Sequence, residues 1–231
     1  MRRRPHTVAA VELIAHRGWW KSPVEKNTAA AFEAALQAGF GIETDIRDCG
    51  GTLVISHDMP RGTEQSFDDF LTQYRRIGNP CTLALNIKAD GMAAAVLDLL
   101  HRHRVRNYFC FDMSVPDSRG YQKLGMPVFA RRSELEPACA TTLDAPGVWL
   151  DAFDSQWFGA GEIEEILVGG QDVCVVSPEL HRRDHRALWS EIQRWLAWSN
   201  IAEDCDNRLM ICTDLPDQFS LPYRLGAQAC A

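Results

Sequence analysis

Gly41–Asp58 reads GIETDIRDCGGTLVISHD, two short apolar runs (Gly41–Ile46 and Leu53–Ser56) parted only by Asp48-Cys49-Gly50-Gly51. That separator is a turn signal too short to hold a helix. The two runs therefore count as one unit, either one bent strand or a strand with a short extension. Outward from it the chain carries seven further runs: Val11–Ala15, Thr82–Ile87, Tyr108–Met113, Val128–Arg131, Val148–Asp151, Val173–Ser177 and Met210–Thr213. Between most of them lie amphipathic segments. Asn27-Thr28 caps one that buries Phe32, Ala35 and Leu36 and stops at Gly39. Met92–His103 is a second, and Leu188, Trp189, Ile192, Trp195 and Leu196 stripe a third at helical spacing. Strands alternating with helices favour a parallel sheet with crossover helices. Eight units is the number that closes a TIM barrel, so the expected fold is a single α/β (β/α)8 barrel spanning residues 1–231.

Length and composition agree with one soluble domain. The 231 residues are 46% hydrophobic and 24% charged, and 31 acidic against 24 basic side chains leave a net charge of −7. The acidic balance argues against a general affinity for nucleic acid or anionic membrane. No apolar run approaches the roughly 20 residues of a membrane span. Arg2-Arg3-Arg4 resembles the start of a signal peptide, but the apolar stretch behind it is short and holds Glu12, so no export signal is expected. The eight cysteines are scattered, with no C-x-x-C pair and no Cys/His cluster at zinc spacing. Reduced thiols in a cytoplasmic protein are the expectation.

In a TIM barrel the chemistry sits where strands end and loops begin. The first run ends in His16-Arg17-Gly18, the second carries Glu43-Thr44-Asp45, the third ends in His57-Asp58 and the fourth in Asn86-Ile87-Lys88. Residues i and i+2 of a strand share a side, so Glu43 and Asp45 should both face the barrel axis. Two inward carboxylates repel unless a cation lies between them, and a hard divalent ion, Mg²⁺ or Ca²⁺, removes that cost. His16 and His57 can move protons near neutrality. Arg17 and Lys88 supply fixed positive charge suited to a phosphate. Packing alone would prefer Val, Ile and Leu at these positions, so their coincidence marks one shared site.

These residues resemble the glycerophosphodiester phosphodiesterase family, within the phospholipase-C-like TIM-barrel phosphodiesterases. The match runs through LIAHRG (Leu13–Gly18), Pro23, Glu25, Asn27-Thr28, AFEAAL, IETDI and LVISHD, and ICTDLPD (Ile211–Asp217) resembles the family's last-strand motif. The resemblance implies metal-assisted cleavage of a small-molecule phosphodiester. His16 and His57 become the acid–base pair, Glu43 and Asp45 metal ligands, and Arg17 and Lys88 phosphate contacts. Which histidine is acid and which is base stays open at this level. Two readings stand beside hydrolysis: a lyase that forms a cyclic phosphate, and a non-catalytic binding barrel that has lost its metal.

Three departures from the family pattern matter. Asn86 stands where the family has glutamate, so the metal site holds an amide oxygen, or Asp151 or Glu179 supplies the missing oxygen from across the barrel. Pro23-Val24-Glu25-Lys26-Asn27-Thr28 is a stretched form of the family's Pro-Glu-Asn-Thr, which puts Glu25 in doubt as a site residue. The segment from His57 to Asn86 is shorter than the family's inserted subdomain, with room for a loop and one helix, SFDDFLTQYRRIG. The alcohol is therefore glycerol, another polyol or a sugar. Trp19 and Trp20 either stack on substrate or cover the barrel top. Glu179 and His181 either touch substrate or cap the following helix. Asp112 and Asp151 read as hydrogen-bonding supports, Asp214 as a fixture of the closing strand, and Trp189, Trp195 and Trp198 as helix packing. The sequence leaves the oligomeric state open.

Overall fold

The computed structural model describes residues 11–78, 81–139, 143–199 and 208–220. The reading of Arg2-Arg3-Arg4 lies outside the described residues, as do the parts of the single-domain span 1–231 beyond these limits.

The two runs of the opening stretch form a hairpin. Strand β1 is Glu12–His16, β2 is Gly41–Cys49, and β3, Thr52–Ile55, returns antiparallel along the outer half of β2. Gly50 and Gly51 make the turn with φ of 58° and 86°. Tight two-residue hairpin turns need positive φ at both positions, which glycine adopts without steric cost. The hairpin arm stands off the barrel wall, so β3 is no barrel strand.

The remaining strands are β4 (Leu83–Ile87), β5 (Tyr108–Phe111), β6 (Phe129–Arg132), β7 (Gly147–Leu150), β8 (Asp172–Val176) and β9 (Leu209–Thr213). With β1 and β2 they make eight strands that follow one another in chain order around the barrel. β1 pairs in parallel with both β2 and β9. The seam between β5 and β6 is carried by a parallel bridge, Cys110 opposite Val128, in which the Cys110 N–H donates to Pro127 O at 2.9 Å. The chain folds as the single TIM barrel that the alternating pattern predicts.

Among the described residues, six helices cover the outside: α1 (Ala29–Ala38), α2 (Phe67–Ile77), α3 (Ala93–Arg102), α4 (Val115–Lys123), α5 (Ala160–Val168) and α6 (Arg186–Trp198). α1 starts where Thr28 Oγ1 accepts the Ala31 N–H and ends at Gly39, whose φ is 82°. α2 is the one helix of the shortened segment, capped by Ser66. One apolar cluster joins α1–α4 to the first strands, and a second joins α5 and α6 to β7–β9. Inside the barrel Phe109 stacks on Phe129 and Phe111 on Trp149, both with ring centroids 3.9 Å apart. A Cβ at Gly147 would collide with the Phe129 ring, so β7 has to begin with glycine.

Trp198 departs from its expected packing role: it is 87% exposed, whereas Trp189 is buried and Trp195 donates to Glu164 at 2.9 Å. Trp198 lies nine positions after Trp189, about two and a half turns along α6, and so on the opposite face. Cys49, Cys110, Cys174 and Cys212 carry free thiols. No helix among the described residues is long and apolar enough to cross a membrane.

Candidate active site

A cavity of about 250 Å³ opens at the C-terminal ends of the strands, and His16, Arg17, Glu43, His57, Asn86 and Lys88 all line it. The acidic wall is built by β1, β2 and β4. In register, His16 lies opposite Glu43, and Asp45 opposite Asn86. Glu43 and Asp45 are 1% and 0% exposed. The i, i+2 spacing thus sends both carboxylates inward, as expected.

The turn after β1 delivers Arg17. Its φ is 58°, and the following Gly18 has φ of 86°, with the site of a Cβ only 2.8 Å from Ala31 backbone. Glycine is required there by both conformation and close approach. Arg17 Nε then sits 3.1 Å from Asp45 Oδ2, which also accepts a hydrogen bond from Asn27 Nδ2 at 2.9 Å. Thr44 Oγ1 donates to Asn27 Oδ1 at 2.9 Å and fixes that amide. Lys88 Nζ stands 3.5 Å from Asp45 Oδ1 and 3.6 Å from Asp112 Oδ2. Arg131, from the far side, also pairs with Asp112.

His16 is held by Asp214, whose Oδ1 lies 2.7 Å from Nδ1; Nε2 lies 3.8 Å from Glu43 Oε2. The expected role of Asp214 as a fixture of the closing strand is therefore too small, because its carboxylate orients a cavity histidine. Burial lowers the His16 pKa despite the opposing pull of Asp214. Burial pushes the Asp214 carboxyl up, yet the bond and charge of His16 outweigh it and leave its pKa lowered. A carboxylate only accepts, so the His16 ring proton sits on Nδ1 and Nε2 is free. Burial, then the neighbouring Asp45 charge, raises the Glu43 pKa.

His57 reaches the same cavity by another route. The hairpin arm turns back at Asp45, where the Ser56 N–H donates to Asp45 O at 3.0 Å, and leaves His57 on the rim. Its side chain is 46% exposed, and Nδ1 is 2.8 Å from Asp58 Oδ1. His57 lies on a loop beside the barrel rather than at the end of a barrel strand.

The structure separates other candidates from the cavity. Trp19 packs edge-on against Phe40 at 5.5 Å, on the helix side of the barrel. Trp20 donates from Nε1 to His16 O at 3.1 Å and lies under Lys26 Nζ at 4.4 Å, so it braces the loop instead of lining the cavity. Glu25 accepts the Lys21 N–H at 2.8 Å within the same loop and is no lining residue.

Glu179 is a clamp on the last strand: it accepts the Asp214 N–H at 3.2 Å and the hydroxyls of Thr213 and Ser177. Asp151 lines the cavity, but its Oδ1 accepts the Ala152 N–H at 2.8 Å and lies 2.7 Å from His181 Nε2. Both carboxylates are engaged on the far side, so replacement of the missing metal oxygen by either finds no support.

Three oxygens of the acidic wall have no hydrogen-bond partner although buried: Glu43 Oε2, Asp45 Oδ1 and Asn86 Oδ1. Asn86 Nδ2 donates to the other Glu43 oxygen, Oε1, at 3.4 Å. Unpaired buried oxygens are costly, and hard divalent cations take oxygen ligands of this kind. No group of three or more His, Cys, Asp or Glu suited to a metal occurs among the described residues; the third donor of this set is an amide. The donor set of two carboxylates and one carbonyl fits Mg²⁺ or Ca²⁺.

Asn27, Asp214 and Arg131 belong to the site and were not singled out for it from sequence, whereas His181 was read there as touching substrate or capping a helix and does line the cavity. Arg131 is the penultimate residue of β6, within reach of the strand-end rule. His181 follows the β8 strand in the same way. Asn27 and Asp214 lie in the resembling motifs, but only the fold reveals which side chains they hold.

No family model matches the chain, and no curated protein matches it. Solved structures do. A protein from Galdieria sulphuraria, provisionally named a glycerophosphodiester phosphodiesterase, superposes with a TM-score of 0.69 at 16% identity, over 91% of this chain and 96% of that one. A glycerophosphodiester phosphodiesterase from Agrobacterium tumefaciens gives 0.65 at 21% identity over 91% and 99%. A phosphodiesterase from Oleispira antarctica, solved with the product sn-glycerol-3-phosphate, gives 0.66 at 17% identity over 90% and 94%. Nearly the whole chain shares its barrel fold with these three proteins.

Proposed function

We propose that the chain is a metal-dependent phosphoric diester hydrolase of the glycerophosphodiester phosphodiesterase family. The observation that carries this reading is the convergence, at one cavity wall, of three buried oxygens without a hydrogen bond with an oriented histidine and two cations. The motif resemblance and the barrel shared with phosphodiesterases support it.

Glu43, Asp45 and Asn86 would hold the ion, which supplies Lewis-acid charge to the phosphoryl oxygens when bound. Arg17 and Lys88 face the same phosphate and offset the negative charge that develops on it. His16, kept neutral by burial and fixed by Asp214, takes the proton of the attacking hydroxyl at Nε2. His57 stands on the rim, where the alcohol departs, and gives the leaving oxygen a proton. Acid–base groups of this kind contribute about 10²- to 10⁴-fold each.

The substrate is a small-molecule phosphodiester with a glycerol, polyol or sugar alcohol. Phosphorus NMR of a glycerophosphodiester incubated with protein and Mg²⁺ or Ca²⁺ tests the reading. A monoester signal that chelator abolishes supports hydrolysis, with a bell-shaped pH–rate profile. A cyclic phosphate would mean that a substrate hydroxyl attacks instead. No turnover with retained ion binding would leave a binding barrel.

A further inference from the structure

Opposite the acidic wall stands a second histidine–carboxylate pair that the proposed chemistry leaves idle. His181 lies in the turn Pro178–His181 that follows β8 and lines the cavity. Its Nε2 is 2.7 Å from Asp151 Oδ1, and its ring meets Phe153 edge-on with centroids 5.0 Å apart. Asp151 is buried, and Arg131 Nη1 stands 3.9 Å from its second oxygen.

The chemistry of this pair is restricted. A carboxylate only accepts, so in the neutral ring the His181 proton sits on Nε2 and Nδ1 is the acceptor. An acceptor gains nothing from the unprotonated oxygens of a phosphodiester. It needs a donor, and an alcohol hydroxyl is the donor such a substrate carries. The same wall presents the aromatic ring of Phe153 beside it, a surface suited to the carbon face of a polyhydroxylated group.

We propose that His181, held by Asp151, is a substrate-contacting residue that accepts a hydrogen bond from a hydroxyl of a polyol or sugar moiety. This rests on the phosphodiesterase reading and names the substrate class for the same cavity. Asp151 is the positioning residue, and Phe153 supports the alcohol's carbon skeleton.

Steady-state kinetics with two probes tests it: glycerophosphoinositol, rich in hydroxyls, and bis(p-nitrophenyl) phosphate, which has none. The readout is the ratio of kcat/KM for the first over the second. His181→Ala should lower that ratio about tenfold or more, through KM rather than kcat, because a lost hydrogen bond of substrate recognition acts on binding. His181→Gln keeps an acceptor and should restore part of the ratio. Asp151→Asn should lower the ratio too, because an amide can place the ring proton on Nδ1 and remove the acceptor. An unchanged ratio in His181→Ala, or an equal loss on both probes, would overturn the assignment. If the wild-type protein cleaves neither probe with Mg²⁺ or Ca²⁺, the phosphodiesterase reading itself falls, a result distinct from cleavage without discrimination.

Discussion

The two walls of the cavity each hold a histidine against a carboxylate, and they differ in what they leave unsatisfied. On the wall of β1, β2 and β4, Asp214 fixes His16 while Glu43, Asp45 and Asn86 each keep one buried oxygen without a hydrogen bond, Asp45 Oδ1 having only the ion pair to Lys88. On the wall of β6, β7 and β8, Asp151 fixes His181, and the neighbouring oxygens of Asp151 and Glu179 are met by backbone, hydroxyl and histidine partners. The first wall leaves three buried oxygens that a cation could complete; near the second, the buried oxygen left open is Glu134 Oε2, in the loop after β6 and outside the cavity lining. A protein tolerates buried unpaired oxygens mainly where something else completes them, so on the proposed reading the first wall reacts and the second recognises substrate.

Breaking the acidic wall should have the largest effect. His16→Ala is expected to lower turnover about 10³-fold while thermal stability stays close to wild type, measured by diester hydrolysis and calorimetric melting. Full activity in that variant would remove His16 from the chemistry. Asp214→Asn should cost about 10- to 100-fold, since it loosens the ring and alters its tautomer without removing it. A third test is thermal. Mg²⁺ or Ca²⁺ at about 100 times its Kd should stabilise the wild-type protein by roughly 2.7 kcal/mol, and Glu43→Gln should remove most of that increment.

The recognising wall offers a contrast in pH. Desolvation pushes the Glu134 carboxyl up, but the backbone N–H groups of Asp154 and its neighbours outweigh it and hold the pKa down at about 2. A carboxyl lowered on folding adds stability above its ordinary pKa, near 4.5, and loses it as pH falls toward 2. Glu134→Gln should therefore melt below wild type at pH 7, with the gap closing through that acid window. A constant gap would assign Glu134 no such role. The smallest effect is expected at Glu25, whose contact stays within its own loop. Glu25→Ala should change turnover by less than about threefold.

How legible each wall was in the sequence follows from the same contrast. Short-range patterns determine the barrel, because strand and helix periods survive in the chain, and the i, i+2 rule oriented Glu43 and Asp45 correctly. The hairpin arm was ambiguous: DCGG marks a turn, but pairing direction is a property of two strands and not of the turn alone. His16, Arg17, Glu43, Asn86, Lys88 and His57 occupy ordered motifs and line one cavity, with Asp45 buried behind them against Arg17 and Lys88. His181 and Arg131 sit in stretches without a motif, and their partners lie 30 and 19 residues away. Trp19 and Trp20 show the converse limit. Adjacent large aromatics at a barrel mouth look like ligand platforms, yet packing on Phe40 and a bond to His16 O absorb them.

Diffraction from crystals soaked with Ca²⁺ and inorganic phosphate tests the central claim most directly. The account predicts one cation bound by Glu43 Oε2, Asp45 Oδ1 and Asn86 Oδ1, with phosphate between Arg17, Lys88 and His16. A cation seated elsewhere, or none at millimolar Ca²⁺ with these three oxygens still unpaired, would contradict it.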